Sequence, residues 1–167
     1  MGTARSDGVA KPLPMGMPWK RPSEMDQGLP SNPSLMGDLG KPMPQGINQG
    51  GILADCWFMA SAAALAEQPD RILGVMYNRY YNSAGAFRFY FFAIDEWVGI
   101  NVDDRLPVRK WGRGWRPKAA WPSKHNAWWM PLLEKAYAKF LQNYDRLGWG
   151  RGSEALRTLT AKPTIMY

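Results

Sequence analysis

Gln49-Gly50-Gly51-Ile52-Leu53-Ala54-Asp55-Cys56-Trp57-Phe58-Met59-Ala60 marks the point at which the character of this 167-residue chain changes. From Ile52 onward, apolar side chains and good helix formers run through an Ala-rich segment to Glu67, which predicts a buried helix with Asp55 at or before its first turn. Residues 1–45 are the opposite, holding most of the prolines and few aliphatic or aromatic anchors. Such an extended Pro/Gly-rich arm forms no core of its own and is held down by the rest of the chain or by a partner. Cys56 follows a glycine-containing loop at a helix start, where the positive end of the helix dipole favours a thiolate. A small buried hydrophobe is the other reading of a free cysteine.

Further along, Ile72, Leu73, Met76, Tyr77 and Tyr80 recur at three- and four-residue spacing after Pro69-Asp70, predicting a second helix with Arg71 and Arg79 facing water. Asn82-Ser83-Ala84-Gly85 reads as a turn. Phe87, Phe89, Phe91 and then Val98, Ile100, Val102 alternate with their neighbours, predicting two antiparallel strands joined near Asp95-Glu96. Arg109–Lys118 reads as a basic loop bearing glycine and tryptophan. Asn126 is a candidate cap for a helix with Trp129, Leu133, Ala136 and Phe140 on one face and Glu134, Lys135 and Lys139 on another, Pro131 being tolerated near its start. A short last helix falls near Glu154–Leu159, before a Pro-containing tail.

Length and composition fit one domain or one lobe of a larger one. The single cysteine excludes an intrachain disulfide and a Cys-rich zinc site, so an intracellular, reducing environment is expected. No run of about 18 uncharged apolar residues exists to span a membrane, and the first residues lack the apolar centre of a secretory signal. No repeat of the kind that builds solenoids or propellers is present.

The quoted stretch around Cys56 resembles the calpain-family signature QGxLGDCWFLA that surrounds the catalytic cysteine of those proteases. Trp19-Lys20-Arg21-Pro22-Ser23-Glu24, Ser31-Asn32-Pro33, Glu96-Trp97-Val98, Val102-Asp103-Asp104-Arg105-Leu106-Pro107 and Leu132-Leu133-Glu134-Lys135-Ala136-Tyr137-Ala138-Lys139 resemble further calpain segments in the same order, covering about residues 19–160. The resemblance implies an α+β fold. It would be the mostly helical first lobe of a papain-like protease core over residues 46–160, with a small antiparallel β element, the arm over 1–45 and a tail over 161–167. It implies Cys56 as the nucleophile position and Gln49 as the oxyanion donor. The family's general-base His and orienting Asn belong to a second lobe further along, and Tyr167 is reached before such a lobe begins. His125, the only histidine, falls at a surface or capping position in the first lobe.

Departures from the pattern bear on activity. Six residues separate Gln49 from Cys56 where the family has five, and Ala54 replaces the glycine before Asp55-Cys56. A shift of the oxyanion donor by an ångström is costly to catalysis. Family calcium loops place carboxylates upstream of the Gln and near the last helix. Glu154 matches the second loop, but Gly46 stands where the first has Asp, with Asp38 the nearby substitute carboxylate, so weak or no calcium binding is expected and no cofactor is assigned. Asp103-Asp104, readable as a metal pair, is expected to end a strand.

Arg105, Arg109, Lys110, Arg113, Arg116 and Lys118 fall within fourteen residues and interleave with Trp111 and Trp115. This is the candidate partner-binding segment, suited to an acidic protein surface and, as a weaker alternative, to RNA. Met1-Gly2-Thr3-Ala4-Arg5-Ser6 fits an N-myristoylation pattern at Gly2. The expected function is a catalytically incomplete calpain-like protein acting as a structural or interaction subunit of a larger assembly, cytoskeletal, flagellar or mitochondrial. The alternatives are a cysteine endopeptidase half whose His and Asn come from another chain or a continuation, and a basic RNA-binding scaffold.

Overall fold

Eleven residues from Cys56 to Ala66 carry no charge, glycine or proline, and they form helix α1 (Cys56–Ala66) of the computed structural model, which describes residues 16–25, 32–50, 53–122 and 124–164. A helix apolar on nearly every side belongs inside a domain, and Phe58, Met59, Ala62, Leu65 and Ala66 are buried. Pro69 at the next helix start opens α2 (Pro69–Leu73). The second helix predicted to run on to Tyr80 stops here. The amide of Tyr77 is drawn onto the carbonyl of Arg88, Met76 bridges to Phe89, and the Arg79 guanidinium caps the Leu73 and Met76 carbonyls at 2.6 and 2.7 Å. Arg79 therefore closes a helix end, and Tyr77 and Tyr80 are exposed.

The predicted strand pair is β3 (Ala86–Ala93) and β4 (Glu96–Asp103), in register from Ala86 opposite Asp103 to Ala93 opposite Glu96. Ile94 and Asp95 turn the corner with φ of 50° and 61°, the left-handed pair that matches the twist of a two-residue hairpin. Phe87, Phe89 and Phe91 point inward, and Asp103-Asp104 ends the strand as expected.

The segment Arg109–Lys118, expected as a loop, is mostly a second hairpin of β5 (Leu106–Trp111) and β6 (Gly114–Pro117), turning at Gly112 with φ of 58°. Its charges obscured a strand whose buried anchors, Leu106 and Val108, lie at one end. From the arm, β1 (Trp19–Lys20) pairs with the other side of β5, giving the order β1-β5-β6. A short antiparallel pair joins β2 (Ile47–Asn48) to β7 (Trp121–Pro122).

Helix α3 (Trp129–Phe140) begins after Trp128. Asn126 is not its cap. It sits at φ 55°, where its side chain accepts from the Trp128 indole and donates to the Asn32 carbonyl, pinning the arm to the core. Pro131 lies in the first turn, where its missing N–H breaks no helical bond. The predicted last helix is α4 (Gly152–Thr160), ended by Ala161 in the left-handed region and packed on α1 and β3. Strands and helices share the lobe where mostly helix was expected.

Of the arm, residues 16–25 and 32–45 contribute β1, short 3-10 turns and the buried side chains Met25, Leu35 and Met36. Residues 1–15, with the Gly2 acylation pattern, and the tail at 165–167 lie outside the described residues. Among the described residues no helix is long and apolar enough to cross a membrane.

Candidate active site

Two anchors hold the chain entering the cysteine loop. Asn48 pairs with Trp121, and the Trp121 indole N–H donates to the Gln49 carbonyl at 3.3 Å. Gly50 then passes so close under the Lys118 and Ala119 carbonyls that a side chain would collide with backbone, which is why a glycine stands there. After Leu53, which is buried, Asp55 occupies the N-cap of α1, and its carbonyl accepts from the amides of Phe58 and Met59 at 2.9 and 3.1 Å. Cys56 is the first residue of the helix and is exposed. Behind it the Trp57 indole donates to the Leu147 carbonyl at 2.8 Å, and Phe58 stacks on Tyr137 with ring centroids 4.3 Å apart. Cys56, Ala60 and Ala64, four residues apart, form an exposed stripe of small side chains along α1.

Cys56 is thus accessible at a helix N-terminus and rigidly backed. Gln49 is on the same loop and exposed, and its side chain helps to hold the Asp55 carboxyl down. His125 is elsewhere, pairing through Nδ1 with Asp38 at 2.9 Å. That pairing also engages the carboxylate expected to substitute in a calcium loop. A carboxylate cannot be restored at Gly46 without rearrangement, because even a Cβ would lie 3.0 Å from Trp129 Nε1 and 3.1 Å from the Ala127 methyl. Glu154 accepts the Arg151 amide at 3.2 Å as part of a capping box. The donor set does not fit a hard cation, and among the described residues no cluster of three His, Cys, Asp or Glu could hold a metal. Asp103 pairs with Lys135, while Asp104 accepts from the Tyr81 hydroxyl at 2.5 Å and faces Arg21 at 3.5 Å. Both serve structure.

Directly beneath Cys56 lies a feature the sequence reading missed. Glu134, grouped there with Lys135 and Lys139 on one face of the helix, is fully buried against Asp55, which is 1% exposed. Glu134 Oε2 accepts the Ala120 amide at 2.6 Å, and the two carboxyls hydrogen-bond each other. Asp55 Oδ2 and Glu134 Oε1 find no other partner among the described residues. Two carboxylates in contact away from water cannot both be charged. Burial, reinforced by the hydrogen bond to and charge of Asp55, pushes Glu134 well above the ordinary carboxylate range. Burial also raises Asp55, less so because Glu134 and Gln49 donate to it. Glu134 is therefore the protonated partner at neutral pH, its O–H donating to Asp55. Tyr144, also buried, faces the pair and is pushed up by burial, by the negative charge that Glu134 and Asp55 share, and by Asp103. The signal for Glu134 was available. Lys135 and Lys139 share a face, but Glu134 is a hundred degrees from Lys135 and lies among Met130, Pro131, Tyr137 and Ala138.

The candidate partner residues divide by position. Arg109, Lys110, Trp111, Arg113, Trp115 and Arg116 lie on the β5–β6 hairpin, with Arg105 at its foot beside Asp103 and Lys118 where β6 leaves the sheet, its amide bonded to Pro107. Arg109 stands opposite Arg116, a repulsive cross-strand pair, and Trp111 lies between them at 5.3 and 4.8 Å from the two guanidinium carbons. Arg116 also stacks at 3.3 Å over Trp121, the residue that holds Gln49. Lys110 and Lys20 both lie over Trp115. Partial burial and the charge of Arg109 lower Arg116 from the ordinary arginine range.

Residues 4–167 match the family described as calpain family cysteine protease. The chain is 37% identical over 163 residues to Calpain-14 of Homo sapiens, covering 96% of this chain and 22% of that protein. It is 36% identical over 144 residues to the Calpain-type cysteine protease DEK1 of Zea mays, covering 85% and 6%. It is 34% identical over 165 residues to Calpain-13 of Rattus norvegicus, covering 94% and 23%. The chain spans less than a quarter of the length of these relatives. An exposed cysteine opening a buried helix, on a loop clasped by Trp121 and by a carboxyl pair, sits within a match that covers nearly all of these residues, and the chain belongs to the calpain family of cysteine proteases.

Proposed function

We propose that this domain is the nucleophile-bearing lobe of a calpain-type cysteine endopeptidase, with Cys56 attacking the scissile carbonyl once a second lobe supplies the general base. The observation that carries the reading is the exposure of Cys56 at the first position of α1, at the head of the exposed Cys56-Ala60-Ala64 stripe. Small side chains there let a second lobe approach the helix closely. In this reading a base from that lobe takes the thiol proton, the thiolate attacks, and the same base returns the proton to the leaving amine. The Asp55–Glu134 pair holds the loop in place throughout without touching substrate. The one histidine among these residues is engaged with Asp38, so the lobe alone binds and does not turn over.

A second reading, a non-catalytic lobe retained as a structural or interaction subunit, is favoured by Gln49. Its spacing from Cys56 is one residue longer than the family pattern. Labelling of Cys56 in the native full-length protein with an electrophilic epoxide separates the two, with Cys56→Ala and unfolded protein as references. Native labelling well above the unfolded rate supports the peptidase. Labelling at or below that rate supports the structural subunit.

A further inference from the structure

We propose that the β5–β6 hairpin together with Trp121 is a docking track for an acidic peptide segment, leading to the Gln49–Cys56 loop. From Leu106 to Leu133 the chain carries six Lys and Arg residues and no Asp or Glu. The ion pairs among the described residues, Arg21 with Asp104, His125 with Asp38 and Lys135 with Asp103, leave the hairpin cations out. Their neighbours are indole rings, which attract a cation but do not neutralise it. Arg109 and Arg116 face each other across the strands, so a positive field is concentrated on one small sheet. An anionic occupant would relieve that repulsion.

Its class follows from what the track presents. Trp121 has Arg116 stacked against it, and Trp111 is shared between Arg109 and Arg116. The Trp121 face is covered by Arg116 and the exposed Trp111 ring has two guanidinium groups beside it, which leaves fewer free ring faces for unpaired bases and weakens the case for single-stranded nucleic acid. What remains outward is a set of guanidinium forks, whose planar donors match side-chain carboxylates two oxygens at a time. β6 is the edge of its three-stranded sheet, giving an extended chain room to lie alongside. The track ends on the site, since Trp121 binds both Arg116 and the Gln49 carbonyl. Acidic docking deepens the peptidase reading by naming a substrate class, and that consequence rests on it. The binding itself does not.

The test uses the full chain carrying Cys56→Ala, so that binding is read without turnover. Fluorescence anisotropy follows a labelled peptide of alternating Glu and Ser, its Gln and Ser counterpart, and a single-stranded RNA oligonucleotide. The acidic peptide should bind with an affinity that falls as salt rises, and its uncharged counterpart should bind at least about tenfold more weakly. Arg109→Gln with Arg116→Gln should weaken the acidic peptide about tenfold, while Arg71→Gln, an exposed cation on α2, should leave it unchanged. Arg109→Lys with Arg116→Lys keeps the charge and the strand pairing, and should fall between them. Equal binding of the two peptides, or an equal loss with Arg71→Gln, overturns the proposal. Tighter binding of RNA that displaces the acidic peptide overturns it in favour of a nucleic-acid surface. Failure of Cys56 to react with the epoxide would defeat the peptidase reading and leave this binding in place. Failure of the peptide to bind would leave the reactivity of Cys56 in place.

Discussion

Two clusters of like charge lie on either side of the Gln49–Cys56 loop, and the molecule treats them in opposite ways. Asp55 and Glu134 are buried and share a proton, so their charge is reduced to one. Arg109, Lys110, Arg113 and Arg116 lie on the β5–β6 hairpin, and three of them, Arg109, Lys110 and Arg116, are set against Trp111, Trp115 and Trp121. The difference is one of solvent. In the interior an uncompensated charge costs several kcal/mol, so the cluster must settle its own balance before the chain can fold. At the surface water screens most of the repulsion, and a residual field can persist for a partner to use. Crowded charge is therefore a structural constraint in one region and an available binding potential in the other.

The sharpest way to break this contrast is Glu134→Ala. It removes the acceptor of the Ala120 amide and leaves Asp55 buried without its donor, so a loss of about 3–5 kcal/mol in urea unfolding is expected. Next in size is Gly50→Ala, at the junction of the two regions, where a methyl would meet the Lys118 and Ala119 carbonyls. About 1–3 kcal/mol is expected in the same measurement, with slower epoxide labelling of Cys56 as the loop shifts. Glu134→Gln keeps an acceptor for Ala120 and gains a permanent donor for Asp55, so it should cost less than about 1 kcal/mol.

The same variant sharpens the pH argument. Because Glu134 is raised in the folded state, its contribution is fully present below the ordinary value of 4.5 and is lost as pH rises toward the folded value. Over that window the native chain should lose stability with rising pH more steeply than Glu134→Gln, as read by thermal unfolding across a pH series. Parallel profiles would mean that Glu134 is not the protonated member. The smallest effect belongs to the hairpin. Arg116→Gln gives up stacking on Trp121 but relieves repulsion from Arg109, so stability should move by no more than about 0.5 kcal/mol while affinity for an acidic peptide falls.

How far the chain could be read from its residues tracks the same division. Helix α1, the β3–β4 pair and the family are legible because apolar periodicity and one local signature suffice for them. Helix α3 is legible in its extent and in the buried face of Trp129, Leu133 and Ala136, but not in Glu134, which charge alone groups with Lys135 although its helical angle and apolar neighbours set it apart. The β5–β6 hairpin reads as a loop because its buried aliphatic anchors, Leu106 and Val108, sit at one end, while Arg109, Lys110 and Arg116 carry much of the remaining pairing. Helix α2 was drawn too long. Its continuing apolar pattern belongs to a chain that leaves the helix and lies against β3, a tertiary choice that local spacing does not carry. The influence of Gln49 on Asp55 depends on a carboxyl pair assembled from segments nearly eighty residues apart, which no local pattern carries.

The arm has a consequence for the order in which the molecule is made. Trp19 pairs opposite Pro107, Ser34 bridges to Ala127, and the amides of Trp128 and Trp129 bond the Leu35 carbonyl. During synthesis Leu35 and Met36 leave the ribosome long before any of these partners exists. Two apolar side chains that end fully inside the protein therefore wait, solvated or chaperoned, while about ninety further residues are added. The lobe can close only once α3 has emerged, so its earliest segment is among the last to find its place.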